Sequence, residues 1–464
     1  MRRSGRYVFL IGAVIFWAGF GICRAEEIPS LPRFRERDRI LIFAPHPDDE
    51  AIAAAGVIQR SLGAGARVKV VCYTCGDLNE PAFIVYEKRI PVKTNGFVYM
   101  GEVRKKETLS AMASLGLFPA DVVFLGYPDF CTMDILTKYW DDKKPFKSIF
   151  TRISRVPYKD ALSYGAPYTG QSILKDIKTV IRDFRPTKVF VSHPADTNRD
   201  HRSLYIFLRV ALWDLEGRIN QPDVFPYLVH MPGWPKPRGY HGDLALVPPE
   251  KLTGIAWTLE ELESREIDKK KEAIAGYKSQ ISYNPPYLFS FARKNELFGD
   301  FPPIKLKNQT GGKGFLWQDP QANGCFTGSS DSGRESSSSS GGEISGIAYA
   351  YKDEALYVKF SLKKRLIGGP VGMGMYLMGW KKGGDFSMMP KLYLSVDNRG
   401  VRLKDKKKPL FAKGIEVQRS GGTVVVKIPL SVLGNPANIL SNIRSQRKDL
   451  PLSDLAWRVL ILEG

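Results

Sequence analysis

Arg39-Ile40-Leu41-Ile42-Phe43-Ala44-Pro45-His46-Pro47-Asp48-Asp49-Glu50 is the stretch from which the fold is read. The first six residues are apolar after Arg39 and lack polar alternation, as expected of a strand buried on both faces. Ala51 to Leu62 then follows a helical pattern. The two prolines bias Ala44 and His46 toward extended backbone, so the polar cluster sits on a stiff strand-to-helix turn. Such turns line the ligand crevice at the carboxyl ends of a parallel sheet.

Working outward, the same alternation recurs. Strands are predicted at 68–73, 122–125 and 188–191, and helices at 104–115, 171–184 and 201–213, with a further helix from Leu259 to Ser279. This pattern predicts an α/β domain over residues 36–302, a Rossmann-like, mostly parallel sheet with helices on both faces. Residues 303–345 are rich in Gly and Ser, including the run Ser336 to Ser340, and read as a linker with a piece of strand near Phe315-Leu316-Trp317. From 346 to 464 the segments 355–362, 391–396 and 423–428 alternate or run apolar between turns, which predicts an all-β sandwich. Tyr376, Trp380 and Tyr393 are its candidate aromatic platforms for sugar, core packing being the other reading.

A hydrolytic zinc site needs three protein ligands and an open position. His46 and Asp49 supply two, and the third is expected from another strand end. His193-Pro194-Ala195-Asp196-Thr197-Asn198-Arg199-Asp200-His201 also lies between a strand and a helix. His201, at the helix start, is the predicted ligand and His193 a candidate supporting group. Asp48 stands beside the ligand Asp49, and Glu50 is read as a brace of the helix start.

His46-Pro47-Asp48-Asp49-Glu50 with the later Asp200-His201 resembles the signature of the PIG-L or LmbE-like de-N-acetylases. Weaker matches are Arg104 and Glu107, Phe124 to Asp129, Arg185-Pro186, Tyr227 to His230 with Trp234-Pro235, and Ala273 to Gln280. The resemblance implies that His46, Asp49 and His201 bind Zn2+, with iron(II) the alternative for such a donor set, and that Asp48 is the general base. It implies that Arg104 and Asp129 face the substrate, the other reading being an ion pair that supports the sheet. Many members carry a histidine where this chain has Asn198. The oxyanion role therefore falls either partly to Asn198 or to His193 or His230. The substrate implied is an N-acetylated glycan or glycoconjugate. Two other readings stay open: a zinc amidase acting on a non-sugar amide, and a catalytically silent glycan-binding protein.

Residues 1–25 carry Arg2, Arg3 and Arg6, an apolar run from Tyr7 to Ile22, and Cys23-Arg24-Ala25. This has the form of a signal peptide, with an uncleaved anchor as the alternative, and predicts an extracytoplasmic protein. The net charge of +20 is spread over scattered lysines and short runs. It is read as a solvated surface open to envelope association, while export argues against nucleic acid. Cys72 and Cys75 are three apart on or just after a strand, point to opposite faces, and are read as buried small hydrophobes.

Overall fold

The computed structural model describes residues 27–88, 94–310, 315–318, 344–362, 371–397, 400–411, 413–447 and 450–463. The proposed leader, residues 1–25, and the serine run 336–340 lie outside them.

Seven strands form the first sheet: β1 (Arg39–Ala44), β2 (Arg67–Thr74), β3 (Val122–Tyr127), β4 (Lys188–Ser192), β5 (Asp223–Tyr227), β6 (Ala256–Glu261) and β7 (Asn295–Asp300). Their order is β3-β2-β1-β4-β5-β7-β6. The first five in this order pair in parallel, and β7 joins antiparallel to both β5 and β6. From β1 the chain proceeds to β2 and β3 on one side, then returns to β4 and β5 on the other. The carboxyl ends of β1 and β4 therefore flank the switch point, where such sheets open a crevice.

The longer helices are α1 (Asp49–Gly63), α2 (Glu80–Glu87), α3 (Thr94–Ser114), α4 (Thr132–Lys138), α5 (Gly170–Phe184), α6 (Arg199–Asp214) and α7 (Ser264–Ala275). α1, α3 and α7 pack together, as do α4, α5 and α6. α3 begins at Thr94, well before the helix predicted from Arg104, and the helix expected from Leu259 to Ser279 is divided. Residues 259–261 are strand because they pair with Asn295 to Leu297 of β7, and helix resumes only at Ser264. Cys72 and Cys75 are buried free thiols.

α1 is kinked at Ala54, whose φ is −140°. The cause is a buried carboxylate, since side-chain insertion into the helical ladder bends a helix. Glu296 of β7 accepts hydrogen bonds from the backbone N–H of Gly56 (2.8 Å) and Val57 (3.0 Å). Lys270 of α7 donates to the same carboxylate at 2.7 Å. A side chain at Gly56 would collide with Leu262, its Cβ falling 2.2 Å from Cδ2, so this approach requires glycine.

The remaining strands are β8 (Ile304–Lys307), β9 (Ile344–Lys352), β10 (Ala355–Leu362), β11 (Val371–Trp380), β12 (Lys391–Asp397), β13 (Gly400–Asp405), β14 (Lys408–Leu410), β15 (Glu416–Ser420), β16 (Thr423–Pro429), β17 (Asn438–Arg447), β18 (Leu450–Asp454) and β19 (Arg458–Glu463). They form a four-stranded sheet, β15-β16-β10-β9, and an eight-stranded sheet, β14-β13-β12-β11-β17-β19-β8 with β18 on β17. Val358, Phe360 and Val426 of one sheet share a core with Met375, Leu377 and Leu394 of the other. Within the span expected as linker from residue 303, Ile304–Lys307 are strand instead, because β8 pairs in parallel with β19 and buries Ile304 and Leu306. Gln318 bridges to Tyr349, next to the strand piece expected at 315–317.

Trp380 is no exposed platform. It is 4% exposed, packs on Trp213 at 5.5 Å, and its indole N–H donates to Asp214 at 2.9 Å. Phe386 meets Trp140 edge-on at 5.3 Å, and the Lys391 ammonium lies over both rings. These contacts join the sandwich to the α/β unit through one continuous apolar core. Tyr376 and Tyr393 are half-buried, with the Arg444 guanidinium over both.

Candidate functional site

The turn after β1 and the start of α6 bring His46, Asp49 and His201 together. His46 Nδ1 lies 3.3 Å from Asp49 Oδ2, His201 Nε2 lies 3.2 Å from the same oxygen, and the two ring nitrogens are 3.3 Å apart. Ligands of a tetrahedral zinc ion, at bonds of roughly 2.0–2.1 Å, stand about 3.3 Å from one another. The three donors thus match one face of that tetrahedron, and the residues fit a divalent cation. His230 belongs to the same cluster of potential ligands and is its half-buried member.

The second nitrogen of each ring is also engaged. His46 Nε2 is 3.1 Å from Asp129 Oδ1 and 3.4 Å from Asp200 Oδ2. His201 Nδ1 is 3.1 Å from Asp196 Oδ2. A carboxylate on the outer nitrogen fixes the tautomer and turns the inner lone pair toward a cation. Burial opposes protonation of both rings, yet these carboxylates outweigh it: His46 is held well above the usual imidazole range and His201 is raised to about 9. Asp49 is held well below the usual carboxylate range; burial acts against this and the two imidazoles prevail.

Residues 41–212 match the family model described as GlcNAc-PI de-N-acetylase, PIG-L. This segment is a PIG-L domain. Solved structures similar to the chain include the conserved protein TT1542 from Thermus thermophilus, at 19% identity and TM-score 0.33 over 55% of this chain and 84% of its own. The N,N'-diacetylchitobiose deacetylase from Pyrococcus horikoshii gives 18% identity and TM-score 0.35 over 56% of this chain and 82% of its own. The A40926 pseudoaglycone deacetylase Dbv21 gives 16% identity and TM-score 0.36 over 57% and 96%. No curated protein matches the chain.

Within the PIG-L domain, Asp48 has a φ of 121°, a backbone region that non-glycine residues rarely occupy outside functional sites. Its N–H donates to Glu50 Oε2 at 3.1 Å and its carboxylate meets Arg104 Nη2 at 3.3 Å. Burial pushes the Asp48 carboxyl up to about 8, with Arg104 opposing. Glu50 braces the turn as expected, accepting from Asp48 N–H and from the Tyr277 hydroxyl.

Arg104 and Asp129 are both buried at the site, the one against Asp48 and the other against His46. Arg104 is 3% exposed and donates to the carbonyls of Gly76 (3.0 Å) and Pro47 (2.5 Å) as well as to Asp48. Gly76, at φ +62°, admits it, since a Cβ there would fall 1.8 Å from Arg104 Nη1. Asp129 is 1% exposed and its carboxylate is spent on His46 and on the N–H groups of Leu78 and Phe130. Arg104 is thus ion-paired with Asp48, and Asp129 orients an imidazole.

Of the candidates for an oxyanion partner, His230 is brought in and His193 is not. The His230 ring centroid is 4.7 Å from that of His201, and Tyr287 Oη lies 3.2 Å from His230 Nδ1, leaving Nε2 available. Burial holds its pKa below the usual value. His193 is fully buried, stacks on Trp257 at 5.8 Å, and accepts from Ala195 N–H. Asn198 caps α6, its Oδ1 accepting from Asp200 N–H at 2.8 Å.

Asp196 and Phe130 carried no assigned role in the sequence, and Asp200 stood there only as the neighbour of His201 in the motif. Asp196 also accepts from the N–H groups of Asn198 (2.8 Å), Val229 (3.1 Å) and His230 (2.9 Å), tying its own segment to the one that follows β5. Asp200 accepts from the N–H groups of Phe130 and Thr132. Phe130, at φ +57°, leaves its ring 55% exposed beside His46. The signal available was the number of acids between His193 and His201, more than a cap and one ligand require.

Proposed function

We propose that this protein is an exported, metal-dependent hydrolase that removes the acetyl group from an N-acetylated amino sugar in a GlcNAc-containing glycan or glycoconjugate. The observation that carries this reading is the triangle of donor atoms from His46, Asp49 and His201, set at the switch point of a PIG-L domain. His46, Asp49 and His201 would hold a divalent cation, whose chemistry when bound would be to acidify water and polarise the acyl carbonyl. Asp48, adjacent in sequence to the ligand Asp49 and absent from the triangle, takes the proton from the attacking water and returns it to the departing amine. Arg104 steadies Asp48 from behind. His230 supplies an N–H toward the oxygen on which negative charge develops. The leader-like residues 1–25 support export. Among the described residues no helix is long and apolar enough to cross a membrane.

The test combines metal analysis of the purified protein with amine release from N-acetylglucosamine oligomers. The expected result is one bound divalent ion per chain and turnover that Asp48→Ala abolishes while the ion is retained. A chain that binds no metal, or that leaves every acetamide offered intact, overturns the reading.

A further inference from the structure

The segment from His193 to Arg202 carries both His201 and the carboxylate that orients it, and its outer side is held by the sandwich. Trp457 N–H donates to the carbonyl of Pro194 at 3.2 Å. Arg202, which directly follows His201, is 4% exposed and reaches in two directions. Its Nε donates to the backbone carbonyl of Asp196. Its Nη1 lies 3.1 Å from Asp454 Oδ1 and 3.5 Å from the carbonyl of Leu455. These partners form the corner between β18 and β19, which is itself fixed. Asn442 Nδ2 donates to Asp454 (3.1 Å) and to the Leu455 carbonyl (2.6 Å), and Trp457 stacks on Tyr376 at 6.0 Å.

We propose that the sandwich completes the support of the candidate metal site, Asp454 and the corner at 455–457 acting through Arg202 to position Asp196 and His201. This rests on the reading that His46, Asp49 and His201 hold a cation. Asp196 sets the direction of the His201 ring, the Arg202 guanidinium holds the Asp196 backbone, and that guanidinium is in turn oriented by a carboxylate from another unit of the chain. A planar fork of donors transmits position along such a line because its geometry is fixed. A module tethered only to gather substrate has no need of contacts with the back of the ligand segment.

The test uses the full-length chain, stripped of metal, with zinc affinity read by competition with a chromophoric chelator. Asp454→Asn keeps the shape and removes the charge opposite Arg202. It is expected to raise the zinc Kd on the order of tenfold, as loss of outer support does. Asn442→Ala loosens the same corner without stranding a charge and is expected to act in the same direction, which keeps the test decisive where Asp454→Asn fails to fold. Trp380→Phe cuts the bond to Asp214 elsewhere in the same interface and is expected to leave the Kd unchanged. Wild-type affinity in both corner variants, or an equal loss in Trp380→Phe, overturns the proposal. A wild-type chain that takes up no zinc and no other divalent ion overturns the metal reading beneath it instead.

Discussion

At the scale of single residues, Asp48 and His193 lead to opposite expectations. Asp48 is held in an unfavourable backbone conformation by Glu50 and Arg104. A general base contributes roughly 10²–10⁴ in rate. Asp48→Asn should therefore lower kcat by about that factor with metal content intact, measured by amine release and metal analysis on the same sample. His193 concerns stability instead. Burial holds its imidazole neutral, with a pKa of about 3. The unfolded chain protonates near the ordinary value of about 6.5 while the folded one does not. Stability from this residue is thus complete above that value and falls as the pH drops toward 3, by about 1.4 kcal/mol per pH unit. Denaturant titrations of wild type and His193→Gln should differ less at pH 5 than at pH 7, by about 2 kcal/mol.

Among elements, α1 depends on Glu296. Its carboxylate replaces a turn of helical hydrogen bonding and neutralises the buried Lys270. Glu296→Ala leaves Lys270 uncompensated and should cost about 3–5 kcal/mol, and adding Lys270→Met should restore only the part due to the stranded ammonium, because the N–H groups of Gly56 and Val57 stay unpaired. Chemical denaturation of the single and double variants measures both values. This element also marks what the sequence disclosed. β1, β2, β3 and β4 were legible as short apolar runs, and His46, Asp49 and His201 because they abut those runs. The kink at Ala54 was not, since its cause lies in a strand far along the chain. Leu259-Glu260-Glu261 reads as helix because leucine and glutamate favour helices, yet pairing with β7 overrides that preference. Arg104 and Asp129 were found as residues of the site, but their contacts with Asp48 and His46 were not. Sequence order does not reveal which nitrogen of a ring a carboxylate will meet.

For the whole molecule, the two units share an apolar core at Trp140, Trp380, Phe386 and Trp457. Units joined in this way unfold together. Calorimetry should give one transition for the full chain. Phe386→Ala, which empties the contact with Trp140 at a cost of about 3–5 kcal/mol, should resolve it into two.

The pairing of β8 with β19 also sets an order of events during synthesis. β8 leaves the ribosome close behind β7, but the strand that completes its ladder is translated about 150 residues later. At roughly 5–20 residues per second, that edge waits on the order of ten to thirty seconds for its partner. The nascent chain must keep Ile304 and Leu306 from foreign strands throughout that interval.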